Sequence, residues 1–403
     1  MPIEGKELGK NWMRTLTRMF AVGLMGISMG AANAAPTPDK DTWLGLPVEY
    51  ASQGYAFKGG AVVELNKVKI QTATPIEVSR AWVSPDWADW ITEFRTSRVR
   101  VEAGEIVARP SSLARLGSVD GPSTRIVTRM SFTGLKLLFG TKTLALPAGE
   151  MQFSDNGTLN LIRVSMESGV SLEFSPRSEG GLGVLVQTAR FSWPVLPAFR
   201  FDSIAAQGEI TDDRLELDRI GANGDGGAFS GALRMIPDDQ FRLEGELKME
   251  SLRARDVLKR LYTRPPVTGV LGGEFRLTAN GDSLEALARA LAVDGNYTLK
   301  AGSIDRFGLL EGMRRSTPGV VGGGLVRVDL LSGKFKGASN APAQLDFQNL
   351  QAGALRGAAN VVIAPDSTLK GRVRGSMMFP GGESSARNFE LSGKVDAPTL
   401  IAR

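Results

Sequence analysis

A mainly β protein, built of strongly curved antiparallel sheet with a few short helices, is the fold this sequence predicts, and three observations carry the prediction. Apolar and polar side chains alternate with period two along most of the chain, glycine is abundant, and helix signals are sparse. In Phe241-Arg242-Leu243-Glu244-Gly245-Glu246-Leu247-Lys248-Met249 the apolar residues share one face and the charges the other. Leu215-Glu216-Leu217, Phe275-Arg276-Leu277-Thr278-Ala279, Tyr297-Thr298-Leu299-Lys300-Ala301, Leu345-Asp346-Phe347 and Phe389-Glu390-Leu391 repeat the pattern. Successive side chains of a strand point to opposite faces, so this alternation marks half-buried antiparallel strands. The 403 residues include 48 glycines, well above the ~7 % of ordinary proteins. Several fall at turns or inside strands, as at Gly224, Gly226, Gly227 and Gly231, where glycine permits tight turns, bulges and curvature.

Taken in order, the chain opens on an export signal. Lys6, Lys10, Arg14 and Arg18 precede an apolar run from Met19 to Met29, and Ala31 to Ala35 follow. A basic region, a short apolar core and a small-residue site are the three parts of a secretory signal. Ala32-Asn33-Ala34 places cleavage before Ala35; the alternative is retention of residues 1–34 as an inner-membrane anchor, although the run is short and rich in Gly and Ser for a span. The expected location is the periplasm. After Pro36, a polar linker from Thr37 to Asp41 leads into the fold.

Four helices are expected among the strands. Ser84-Pro85-Asp86 reads as a helix start, with Ser as N-cap and Pro in the first turn. Trp87, Trp90, Ile91 and Phe94 then share one face and pack on the sheet. A second helix runs from Leu252 to Tyr262 and is stopped by Pro265-Pro266. Another begins at Asp282, paired with Glu285 in a capping box, and buries Leu284, Leu287, Ala288 and Leu291. The last spans Arg306 to Arg314. A division near Arg190–Pro197 separates a β-rich N-terminal domain, 35–195, from a C-terminal domain, 196–403.

Two absent residue types bound the chemistry. The chain has neither cysteine nor histidine. An exported protein without cysteine has no disulfides and relies on ladders and burial. Without histidine, Ser-His-Asp and Cys-His nucleophile systems, most zinc sites and the usual near-neutral proton shuttle are excluded. No enzymatic activity and no cofactor are expected. The formal charge of +5 falls to about +3 once residues 1–34, with four Lys/Arg and two Asp/Glu, are removed. The basic residues are scattered without aromatic spacing, so nucleic acid is not an expected partner. Gly322-Gly323-Gly324 lacks the Lys-Ser/Thr of a phosphate loop and reads as a joint. Asp212-Asp213 and Asp238-Asp239 fall between strands and read as turns rather than paired catalytic carboxylates. Alternation by itself fits a sandwich with a filled core as well as an open groove.

Two blocks carry a family resemblance. The first is Ile204 to Ile210, then Asp213 to Leu217, then Gly226-Gly227-Ala228-Phe229-Ser230-Gly231-Ala232-Leu233. The second runs from Asp256-Val257-Leu258 through Pro266 to Gly269 and Gly273 to Gly281. It continues with Ser283-Leu284 and Leu287, then Gly295 to Leu299, then Gly302-Ser303-Ile304. Over Asp202 to Val395 the chain resembles the AsmA-like family, bacterial envelope proteins related to TamB and to larger bridge-like lipid-transfer proteins. Where the family has Gly and then Asp-Leu after this point, the chain reads Asp305-Arg306-Phe307.

The resemblance implies an elongated, strongly twisted sheet forming a groove that shelters lipid acyl chains. Its lining would fall on Phe241, Leu243, Leu247, Met249, Phe275, Leu277, Tyr297, Leu299, Leu345 and Phe347. The implied partners are phospholipid acyl chains and the membranes, or envelope proteins, at either side of the periplasm. The implied role is movement of phospholipid between inner and outer membranes in support of outer-membrane biogenesis. Two other classes stand beside it: a structural component of a secretion apparatus, similar to the N subunit of type II secretion systems, and an adhesin built on a sandwich.

Overall fold

The computed structural model of this protein describes residues 41–58, 60–86, 98–117, 125–192, 200–260, 262, 264–315, 317–339, 341–383 and 386–402. The expected signal in residues 1–34, most of the linker after it and the Trp87/Trp90/Phe94 stripe lie outside the described residues.

One margin of the sheet is formed by β1 (Asp41–Trp43), β2 (Leu46–Glu49) and β3 (Ser52–Phe57); β2 and β3 both pair with β4 (Ala61–Ile70). Next come β5 (Ile76–Pro85) and β6 (Arg98–Ala108). Ser84 and Pro85 therefore end a strand rather than cap a helix. Along β6, Val99, Val101 and Ala103 are buried while Arg100 and Glu102 are exposed, the alternation of a pleat with one wet face. β6 pairs in parallel with β7 (Ile126–Phe139), the only parallel strand pair among the described residues, so the sheet is mixed rather than wholly antiparallel. A parallel neighbour requires a crossover connection, and the link carries a helix the sequence reading missed, α1 (Pro110–Ala114), with proline in its first turn.

β8 (Lys142–Leu146) and β9 (Gly149–Phe153) return along β7. A meander then follows: β10 (Leu159–Ser165), β11 (Ser171–Pro176), β12 (Leu182–Ser192), β13 (Arg200–Ile210), β14 (Leu215–Gly224), β15 (Gly227–Pro237) and β16 (Phe241–Arg253). The turn between β14 and β15 is Asp225-Gly226, with φ of 53° and 75°. Two left-handed central residues are what a hairpin turn matched to strand twist requires. β17 (Val267–Gly281) and β18 (Ala292–Asp305) continue the order. β18 pairs next with β20 (Leu325–Ala338), followed by β21 (Ala343–Ala352), β22 (Leu355–Ile363) and β23 (Leu369–Phe379). β24 (Gly382–Glu383) and β25 (Arg387–Lys394) both pair with β23, and β26 (Ala397–Ala402) pairs with β25. The short β19 (Gly319–Val321) leaves sequence order and covers the free edge of β26. Gly323 and Gly324, both at positive φ, join β19 to β20.

Among the described residues the result is one long, open, twisted, mixed sheet with four short helices. The expected division near Arg190–Pro197 is not a break in it. β12 and β13 pair from Leu182↔Ile210 to Ser192↔Arg200, and residues 42–403 form one compact unit.

The remaining helices are shorter than their signals. Leu252 and Arg253 still belong to β16, and α2 covers Ala254–Leu258. α3 spans Leu284–Arg289, capped by Ser283 rather than Asp282: the Ser283 Oγ accepts from the Ala286 N–H at 3.1 Å. Leu287 and Leu291 are buried and Ala288 is half-buried, while the side chain of Leu284 lies outside the described set. α4 spans Leu309–Arg314 and buries Leu309. Asp212 lies in the β13–β14 turn, as read, and also accepts from the Ser111 N–H at 3.0 Å and Ser111 Oγ–H at 2.7 Å, which ties α1 to that turn.

The interior changes character along the sheet. From β1 to β12 the inward residues form one filled core that includes Trp43, Leu65, Ile106, Leu137 and Phe139, joined by single side chains of β13 and β15–β17 such as Phe241. A second cluster lies between β18 and β26, and a small third one around Phe201, Phe229 and Met249.

Candidate functional site

A cavity of about 740 Å³ opens between these clusters, walled chiefly by inward side chains of β16–β18 and β20–β22. Its origin is visible in the burial of equivalent positions. Inward residues of the N-terminal strands are almost fully buried. Inward Leu247, Leu271, Phe275, Leu277, Phe335 and Leu345 are only half-buried. The concavity lies against these half-buried side chains. Gly231 lets β15 and β16 approach closely beside it: a Cβ there would meet the Glu246 carbonyl oxygen at 2.1 Å.

Aromatic rings shape the wall. Phe201 and Phe229 meet edge to face at 5.2 Å between centroids, and Phe275 and Phe335 do so at 6.4 Å, geometries that favour aromatic pairs beyond their buried area. The wall is apolar apart from Tyr297, Ser339 and Asp305, and Asp305 is exposed at its margin. The Tyr297 hydroxyl is buried without a hydrogen-bond partner among the described residues; burial first, and the Asp346 carboxylate second, hold its pKa above that of an ordinary tyrosine.

Charges populate the opposite face. Arg234 pairs with Glu216 at 3.3 Å, Lys248 with Glu250 at 2.7 Å and Arg163 with Glu173 at 2.9 Å. The Glu250 carboxylate, through its hydrogen bond and charge, raises the Lys248 pKa. Exposed pairs of this kind contribute roughly 0–1 kcal/mol each; they keep the outer face wet without fixing the fold. Among the described residues no cluster of three or more acidic side chains is arranged to hold a metal.

Of the ten expected lining residues, eight meet at this cavity: Leu247, Met249, Phe275, Leu277, Tyr297, Leu299, Leu345 and Phe347. Phe241 and Leu243 do not. Phe241 is buried in the N-terminal core and stacks on Phe139 at 6.1 Å and 25°, and Leu243 packs against the same core. Alternation assigns a side chain to a face; it does not say whether that face is covered at that point along the strand. Leu271, Phe335 and Phe307 were missed as lining residues. The first two sit at inward positions of β17 and β20 and obey the same alternation, so the signal was present. Neither a protein-family model nor a curated protein matches this chain.

Proposed function

We propose that this chain is an AsmA-like protein of the bacterial periplasm. It holds phospholipid acyl chains in the cavity between β16 and β22 and supports phospholipid movement between inner and outer membranes. The observation that carries the reading is the half-buried apolar wall around about 740 Å³. That volume falls within the ~300–1,000 Å³ of ligand sites generally. Each methylene removed from water gains about 0.8 kcal/mol, before the costs of association. Holding hydrocarbon breaks no bond, so the role needs no catalytic group and no cofactor. Residues 1–34 act in this reading as an export signal, cleaved before Ala35, or as an anchor.

The test is mass spectrometry of lipids extracted from protein purified from the periplasm. Phospholipid recovered in proportion to protein is the expected result. Protein that is lipid-free as purified and takes up no phospholipid from vesicles refutes the reading. N-terminal sequencing of the same sample distinguishes a mature chain starting at Ala35 from a retained anchor.

A further inference from the structure

We infer that the cavity is a blind pocket for the hydrocarbon of a single phospholipid molecule, and not one stretch of a track running the length of the sheet. The inference rests on the lipid reading and narrows it.

The closed end is built from residues that serve two interiors. Leu277, Leu291 and Val293 line the cavity, and the same three side chains belong to, or pack on, the filled N-terminal core. Behind them Phe241 stacks on Phe139, and Leu287 of α3 is buried beside the same core. From there to β4 the inward positions are occupied: Leu137, Ile106 and Leu65 are each 1 % exposed or less. Interiors packed to this degree behave as close-packed solids. An acyl chain advancing toward β4 would have to expel side chains that already bury as much apolar surface as it brings. It stops at Leu291.

Volume and charge agree. A cavity of about 740 Å³ is the size of a site for one small ligand, whereas a track would extend along all the inward faces. Among the described residues Asp305 is the only charged one on the wall, and it is negative. A phosphate drawn inside would face a carboxylate and find no cation among the described residues of the wall, a costly burial of unpaired charge. The hydrocarbon therefore enters while the anionic headgroup stays in water. Transfer proceeds one molecule at a time, by loading and unloading, rather than by continuous flow through this chain.

The experiment uses the intact mature chain, incubated with phosphatidylethanolamine and phosphatidylglycerol vesicles that contain a phospholipid bearing a diazirine in one acyl chain. Native mass spectrometry counts lipids per chain; photolysis and peptide mapping locate the adducts. One lipid per chain, with adducts confined to β13–β26, is the expected result. Two or more lipids per chain, or adducts on inward residues of β4–β9, overturn the blind pocket while leaving lipid binding in place. Absence of both bound lipid and adducts overturns the lipid reading itself, and the inference with it.

Discussion

Leu243 and Leu247 point to the same face of β16 and pack into different interiors, Leu243 against the filled N-terminal core and Leu247 against the cavity. Four residues of one strand thus span the change from solid to hollow, and the same substitution at the two positions meets opposite surroundings. Leu243→Glu places a carboxylate against packed side chains. That costs several kcal/mol and is enough to unfold a domain of ordinary stability. Leu247→Glu can reach water through the open side of the cavity; it should fold, melt slightly lower and carry less lipid. Arg242→Glu, on the exposed face, should change neither property. Circular-dichroism melting and lipid recovery for the three variants decide the matter. If Leu247→Glu is as unfolded as Leu243→Glu, the space beside Leu247 is filled.

A second relationship fixes the hairpin tip of β14 and β15. Arg260 grips both oxygens of the Asp225 carboxylate, with Nη1 to Oδ2 at 2.7 Å. The Asp225 side chain is 4 % exposed, and its hydrogen bond raises the Arg260 pKa above the ordinary value. Removing the cation strands a buried charge, so Arg260→Ala should cost about 3–5 kcal/mol. Asp225→Asn removes the charge instead, keeps a residue that tolerates positive φ, and leaves Arg260 near Asp256 and Asp202. It should cost clearly less. Equal shifts of the urea midpoint for the two variants would show that charge burial is not what makes the pair matter.

The limits of reading this fold from sequence follow the range of each interaction. The inward and outward faces of β16, β17 and β18 were legible because a pleat has period two. The place where the interior empties was not, because it depends on which distant strand lies opposite: Phe139 faces Phe241, while Phe335 faces Phe275. The cap of α3 shows the same limit. Asp282 and Ser283 are both good caps, and Asp282 is instead engaged by Lys142 at 3.1 Å, a partner 140 residues away. The parallel pairing of β6 with β7 leaves no local signature, and the five residues of α1 are too few to show a helical period.

Glycine at two strand positions should respond in opposite ways to alanine. Gly231 lies in mid-β15, where a Cβ would stand 2.1 Å from the Glu246 carbonyl oxygen on β16. Backbone cannot yield locally without disturbing the ladder, so Gly231→Ala should destabilise by about 1–3 kcal/mol, the range for overpacking. Gly54, on the edge strand β3, has no atom within 4 Å of an added Cβ. Gly54→Ala should be neutral, or stabilise by about 0.4–1 kcal/mol through the unfolded chain. Chemical denaturation of both variants checks the contrast, and a neutral Gly231→Ala would mean that β15 and β16 lie farther apart than described.

The Tyr297 hydroxyl, buried in the cavity wall without a partner among the described residues, predicts both a stability gain and a pH dependence. An unsatisfied buried hydroxyl costs about 1–3 kcal/mol, so Tyr297→Phe, which keeps the ring and removes the oxygen, should raise stability by about 1 kcal/mol or more. Burial and the Asp346 charge raise the folded pKa above the ordinary 10.0. Below pH 10 the hydroxyl is protonated in both folded and unfolded chains, and the stability gap between variant and wild type should not vary with pH. Above it the unfolded chain releases the proton while the folded chain keeps it. The unfolded state then binds fewer protons, and wild-type stability falls as pH rises toward the folded pKa. The variant lacks this loss, so its advantage should widen above pH 10, other tyrosines and lysines cancelling in the difference. Urea midpoints for the two proteins from pH 7 to 11 measure the gap. A gap that narrows above pH 10 would place the ionised hydroxyl, not the neutral one, as the form the fold prefers, and would mean that Tyr297 is reached by water or by a cation in the folded protein.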